Sequence, residues 1–224
     1  YNIDVIEDAT ESLGSEYKGK RAGSFGKLSC LSFNGNKIIT TGGGGMVVTN
    51  DEYLAGRIKH LSTQAKSDPI EYDHDEIGYN YRLTNIQAAM GVAQMENLDN
   101  FIATKRKNAL KYQELFSGSK DLEFLWEKPW VMSNFWFYTV KVSKDHKKLL
   151  IDYLISENIQ VRPIWKPIHT LPMYESCQAY KIENTMNIYD TAFNLPCSVS
   201  LKVNDIDFIV ENIEHYFSSK GMDT

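Results

Sequence analysis

Along the first part of this chain, short apolar and β-branched runs at residues 3–6, 28–33 and 46–49 are each followed by turn-forming or charged residues. Runs of that length read as strands. The third leads into a helical pattern over residues 51–61, and strands alternating with helices predict an α/β layer in place of a sandwich. Residues 62–81 are polar, aromatic and aperiodic; they read as one long loop, of a length usually associated with function or disorder. Thr84-Asn85-Ile86-Gln87 then has the form of a capping box, in which a hydroxyl and an amide satisfy the orphan N–H groups of a helix start. Apolar positions at Ile86, Met90, Ala93, Leu98, Ile102, Ala109, Tyr112 and Phe116 extend the helical pattern, with one slip between Ala93 and Leu98 that allows a kink or a change of buried face.

After Ser117-Gly118-Ser119 the pattern changes. Residues 135–142 are aromatic and β-branched, residues 147–157 look helical, residues 159–165 look like a strand, and Ile206, Ile209, Val210, Ile213 and Phe217 mark a final amphipathic helix. This predicts two domains: an α/β domain with a connecting helix over residues 1–116, and a smaller α+β domain over residues 117–224. Phe135, Trp136, Phe137 and Tyr138 are expected to be packing residues.

Composition narrows the function classes. A formal charge of -5 with no dense basic block argues against a nucleic-acid partner. No apolar run approaches the ~18 to 20 residues that span a bilayer, so no membrane partner is expected. Cys30, Cys177 and Cys197 are odd in number and lack paired-ligand spacing, which supports neither a disulfide framework nor a metal site and suits a reducing cytoplasm. The chain opens at Tyr1 inside a strand-like run, without methionine, and reads as a piece of a longer protein.

The chemistry is concentrated in SFNGNKIITTGGGGMVVTND, residues 32–51. A phosphate-binding nucleotide loop would place glycines before the lysine, with Ser or Thr directly after it and a helix to follow. Here Gly42 to Gly45 follow Lys37 and lead into Met46-Val47-Val48, so that reading fails. A lysine that forms a Schiff base fits better: the glycines would clear side chains from a flat ring, Ser32 would offer a hydroxyl to a phosphate, and Asp8, at the carboxyl end of the first strand, would face a pyridine nitrogen. Pyridoxal 5'-phosphate brings ring and phosphate together. Each residue also has an ordinary reading. Lys37 could be a surface lysine, Asp8 a helix N-cap, Ser32 a partner of nearby backbone, and the glycines a flexible loop or a strand edge needing close approach.

Glu7-Asp8-Ala9, Gly19-Lys20 with Gly23-Ser24-Phe25-Gly26, Ser32 through Lys37, Thr40-Thr41-Gly42 and Gly78-Tyr79-Asn80-Tyr81-Arg82 together resemble the DegT/DnrJ/StrS family of sugar aminotransferases. The likeness continues through Arg162-Pro163, Lys166-Pro167-Ile168-His169 and Asn194-Leu195-Pro196-Cys197, and is nearest to members acting on 4-keto-6-deoxy sugars, including those of the legionaminic acid and perosamine routes. The resemblance implies a fold-type-I pyridoxal-phosphate enzyme, here the later part of the large α/β domain plus the small domain, working as a cytoplasmic homodimer with shared active sites. It implies amino transfer, with glutamate as donor, to a keto sugar linked to a nucleotide. Position by position it makes Lys37 the Schiff-base lysine and Asp8 the ring-nitrogen partner. Glu11 falls near the ring hydroxyl, where many relatives carry glutamine or histidine, and Ser32 and Asn80 fall at the cofactor phosphate, Asn80 from the other subunit. Arg82 and His169 fall toward the substrate. Their ordinary readings are a turn former for Asn80, an ion-pair partner of the carboxylates at residues 73–76 for Arg82, and a loop histidine for His169. The competing functional reading is a non-catalytic fragment or regulator of the same fold.

Overall fold

The structure of the protein, a computed structural model, describes residues 1–68 and 70–221. The chain forms two compact units. One comprises Tyr1–Ala103 with Glu127–Trp136; the other comprises Thr104–Trp126 and the chain from Phe137 onward.

In the first unit, strands β1 (Ile6–Asp8), β4 (Leu28–Ser32) and β5 (Gly45–Val48) form a sheet in the order β1-β4-β5. β1 runs parallel to β4, with Asp8 opposite Cys30, and β5 runs antiparallel to β4. The first strand therefore lies later than residues 3–6, because its ladder begins only where Ile6 meets Leu28. A second sheet joins β2 (Glu16–Tyr17), β3 (Lys20–Arg21) and β7 (Val131–Met132), so a segment distant in sequence closes onto the turn region that follows Asp8. Helix α1 (Glu52–Ser62) is capped by Asp51, whose carboxylate accepts from the Leu54 N–H at 3.0 Å. Helix α2 (Asn85–Met95) starts at the expected Thr84/Gln87 capping box, and a break at residues 96–97 separates it from α3 (Leu98–Leu115), where the apolar spacing slips. One core cluster of this unit, among the described residues, joins Phe33, Ile39, Leu98 and Ile102, with Leu13, Leu31 and Leu83 among the half-buried residues against it.

The second unit holds a four-stranded sheet in the order β6-β8-β10-β9, from β6 (Leu122–Phe124), β8 (Tyr138–Val142), β9 (Arg162–Pro163) and β10 (Ala192–Leu195). β8 alternates buried and half-buried residues, whereas every residue of β10 is buried. α4 (Lys144–Ser156), α5 (Glu183–Thr191) and α6 (Val203–Gly221) complete it. The strand expected at residues 159–165 contracts to Arg162–Pro163, on the sheet edge where a proline that donates no N–H is tolerated.

The division expected near residue 116 lies at Ala103/Thr104 in these two units, and residues Glu127–Trp136 group with the first. Helix α3 explains this. Its first turns send Leu98 and Ile102 into the core with Phe33 and Ile39. Farther along, Tyr112 stacks near Phe124 and Tyr138, at 6.3 and 5.4 Å between centroids.

Candidate active site

Because β1 and β4 are parallel, their carboxyl ends lie together, and Asp8 and Ser32 occupy those ends. Ligands collect at this edge in open α/β sheets. The residues after Asp8 form turns, so the carboxylate caps no helix; it accepts from the Thr10 N–H at 3.2 Å. The Thr10 side chain and N–H hold the Asp8 carboxyl below its usual 3.8, assisted by the charge of Lys37. Ser32 Oγ accepts from the Asn34 N–H at 3.3 Å, so the ordinary reading of Ser32 is realised and its hydroxyl marks the start of the loop that carries Lys37.

Lys37 is no free surface lysine. Its side chain is 12% exposed, its Nζ lies 3.3 Å from Glu11 Oε1, and the amine sits over the Trp136 ring, 3.8 Å from the centroid. The Trp136 indole N–H donates to the Asn36 carbonyl at 2.6 Å. Asn134, 3% exposed, donates both protons of its side-chain amide, to the Glu11 and Leu13 carbonyls, each at 3.0 Å. Its Oδ1 accepts the Trp136 N–H at 2.9 Å. Phe135, between them, adopts φ of +46°, a region in which a bulky side chain is strained and is held only by its surroundings.

Glu7, next to Asp8, is a residue whose work the sequence did not disclose. Its carboxylate accepts from the N–H groups of Gly23, Phe25 and Gly26, at 2.6, 2.8 and 3.3 Å. Burial raises this carboxyl, but the three N–H groups and the charge of Lys20 together hold it below its usual 4.5. Thr10, Asn134 and Trp136 were also missed as site residues. Trp136 is buried as expected, yet nothing in local spacing ties it to Lys37. The side-chain amide of Asn134 reaches back across 123 residues to Glu11.

The glycine run has a local explanation in part. A Cβ on Gly44 would meet Leu83 Cδ2 at 2.4 Å, and one on Gly45 would meet the Leu31 carbonyl oxygen at 2.4 Å across the β4–β5 ladder. These two glycines serve close packing of the protein on itself, the strand-edge reading. Gly42 combines φ of +78° with open space at its Cβ position, and Gly43 has open space as well.

The long loop is folded back on itself, with bridges Thr63↔Asn80 and Lys66↔His74. Positive φ at Gln64 and Ala65 makes the reversal, which propensity alone does not signal. A Cβ on Gly78 would stand 2.3 Å from the Ala65 nitrogen, so only glycine permits this approach. Asn80 and Arg82 are exposed on the returning limb. Arg57, and not Arg82, pairs with Glu76 through both carboxylate oxygens, at 2.5 and 2.8 Å, and His60 Nε2 lies 2.7 Å from Asp75. His60, Asp75 and Glu76 offer ligand atoms within 4.8 Å of one another, and the cation engaged there is Arg57. His169 belongs to the second unit, in a short 3-10 turn (Ile168–Thr170), and its Nε2 is buried without a hydrogen-bond partner. Among the described residues no helix is long and apolar enough to cross a membrane.

The chain is similar to several known proteins. EpsN of Bacillus subtilis (strain 168), assigned as a pyridoxal phosphate-dependent aminotransferase, is 38% identical over 222 residues, covering 97% of this chain and 57% of EpsN. GDP-perosamine synthase of Escherichia coli O157:H7 is 40% identical over 221 residues, covering 98% of this chain and 60% of the synthase. Among solved structures, Helicobacter pylori PseC, an aminotransferase involved in the biosynthesis of pseudoaminic acid, superposes with a TM-score of 0.90 at 28% identity, covering 97% of this chain and 60% of PseC. The chain thus spans 57% to 60% of the length of these relatives. Its fold is that of the fold-type-I sugar aminotransferases. The DegT/DnrJ/EryC1/StrS aminotransferase family matches residues 1–214, nearly the whole chain, and this protein belongs to that family.

Proposed function

We propose that the protein is a pyridoxal-phosphate-dependent aminotransferase that moves an amino group from glutamate to a keto sugar carried on a nucleotide. The observation that carries this reading is the setting of Lys37: a largely buried amine, held between a carboxylate and an indole face, whose charge reaches the ionised Asp8. The donor set suits the cofactor. A carboxylate kept anionic by Thr10 is matched to a protonated ring nitrogen, and Ser32, whose Oγ lone pair takes the Asn34 N–H, keeps its own proton for a phosphate oxygen.

Pyridoxal phosphate, when bound, supplies a carbonyl that takes up an amino group and a ring that draws electrons from the substrate carbon. The residues of the chain do the rest. Lys37 Nζ is the attachment point and the group that gives and takes a proton at the reacting carbon. Glu11 Oε1 accepts from that amine at 3.3 Å. Asp8 holds negative charge at the sheet edge. Arg82 supplies a permanent cation for the nucleotide phosphates. Asn80 serves the phosphate of a partner subunit's site in a homodimer working in the cytoplasm. The exposed apolar residues of α2, Ile86 and Val92 among them, fit a protein that buries this face against another surface.

The decisive test is the intact protein reconstituted with pyridoxal phosphate and assayed with glutamate against UDP-, GDP-, CDP- and dTDP-linked keto sugars. Visible cofactor absorbance and amination of one sugar class are expected; in Lys37→Ala the absorbance should vanish and the amination should fall by about 10²-fold or more. Unchanged turnover in that variant would remove the assignment.

A further inference from the structure

The segment Glu127–Trp136 returns to the first unit and touches both loops that hold the amine. Through Asn134 it fixes the backbone at Glu11, and through the Trp136 indole N–H it fixes the backbone at Asn36, the residue before Lys37. The Trp136 ring face and Glu11 Oε1 then form two walls around Nζ, at 3.8 Å to the centroid and 3.3 Å respectively. The walls differ in kind: the Glu11 side chain is 52% exposed, whereas Trp136 is 7% exposed, so the indole is the permanent one.

We infer that Trp136 is a positioning residue for Lys37, its indole face providing the dock in which the uncommitted ammonium rests and from which the amine is released to react. An aromatic face attracts an ammonium through its quadrupole, most strongly when water is excluded, and indole is the best of the natural rings for this. A docked amine is confined to a small volume beside the carboxyl edge of the sheet, which reduces the orientational freedom lost at each return to the reacting carbon. The indole N–H adds a second restraint, because the loop bearing Lys37 is anchored one residue before it. Trp136 touches no reacting atom in this scheme and acts through Lys37. Its importance to turnover rests on the function proposed above; the dock itself is read from the geometry.

Two measurements separate these. In the intact protein freed of cofactor, isotope-coded acetylation read by mass spectrometry compares Lys37 with Lys27, an exposed lysine paired with Asp4. Trp136→Met fills much of the volume without an aromatic face. It should raise acetylation at Lys37 relative to Lys27 by roughly three- to thirtyfold, the span of ammonium–ring contacts from half-exposed to desolvated. Trp136→Phe, which keeps a ring but loses the N–H, should restore most of the protection. Acetylation of the Met variant at the wild-type rate overturns the dock, as does a Phe variant that labels as fast as Met. In the reconstituted protein, Trp136→Met should lower kcat with KM for the keto sugar unchanged, and an unchanged kcat overturns the positioning role. Should the wild type aminate no keto sugar, the proposed function fails while the labelling still decides the dock.

Discussion

Helices α1 and α2 of the first unit have no buried residue, whereas α4 buries Leu150, Ile151 and Leu154, and α6 buries Ile206, Ile209, Val210, Ile213 and Tyr216. The sheets differ in the same way. Every residue of β10 is buried, while β5 leaves Met46 and Val47 about half exposed. The second unit thus resembles a finished hydrophobic core, and the first gathers polar chemistry at strand ends beside apolar faces left open. Stability and polar chemistry are segregated: α1 and α2 carry side-chain caps and bury no residue, whereas α4 and α6 are held by what they bury.

The largest effect expected from this contrast is chemical and lies in the first unit. Lys37→Ala should reduce amination by about 10²- to 10⁴-fold or more, the range for losing a positioned acid–base group, with far-UV circular dichroism unchanged. A fall in secondary structure alongside activity would show that the two roles are not separate. Next comes the second core, where Leu154→Ala should cost about 2–5 kcal/mol in denaturant unfolding, with Lys37 labelling in the folded protein unaltered. Thr84→Ala, which removes the cap of a helix with nothing buried, should cost about 1 kcal/mol and be visible as faster amide exchange at the start of α2. The equivalent change at Ser143 before α4, where no side-chain cap bond exists, should be close to neutral.

The smallest effect concerns acid. Glu7 has its carboxyl lowered in the folded state, so its stabilising contribution is fully present above its ordinary value of 4.5 and is lost as pH falls through the lower folded value. The amides of Gly23, Phe25 and Gly26 should therefore shift together in an NMR titration below pH 4.5, and Glu7→Gln should abolish that step. A step that persists in the variant would mean another carboxylate holds this turn.

Much of the architecture was legible in local pattern. The capping box at Thr84 and Gln87, the break after Ala93 and the final amphipathic helix all follow from spacing that acts within one or two turns. The short strands β2, β3 and β7 escaped notice because two-residue ladders leave no periodicity, and α5 escaped because its nine residues bury nothing. At the candidate site, Asp8, Ser32 and Lys37 were singled out by residue type and order, and all three lie in one unit with Glu11. Asn134 and Trp136 were not, since side chains recruited across a hundred residues carry no local signature. The glycine run admits both space for a ring and a strand edge needing close approach; Gly44 and Gly45 answer to Leu83 and the Leu31 carbonyl, the second of these, while Gly42 and Gly43 face open space.

The contact between the indole of Trp136 and the carbonyl of Asn36 spans 100 residues. On a ribosome, the loop with the Lys37 amine therefore emerges long before the ring that completes its surroundings has been translated. Until then the ε-amino group is unsheltered on a nascent chain, which places completion of its surroundings among the late events of biogenesis.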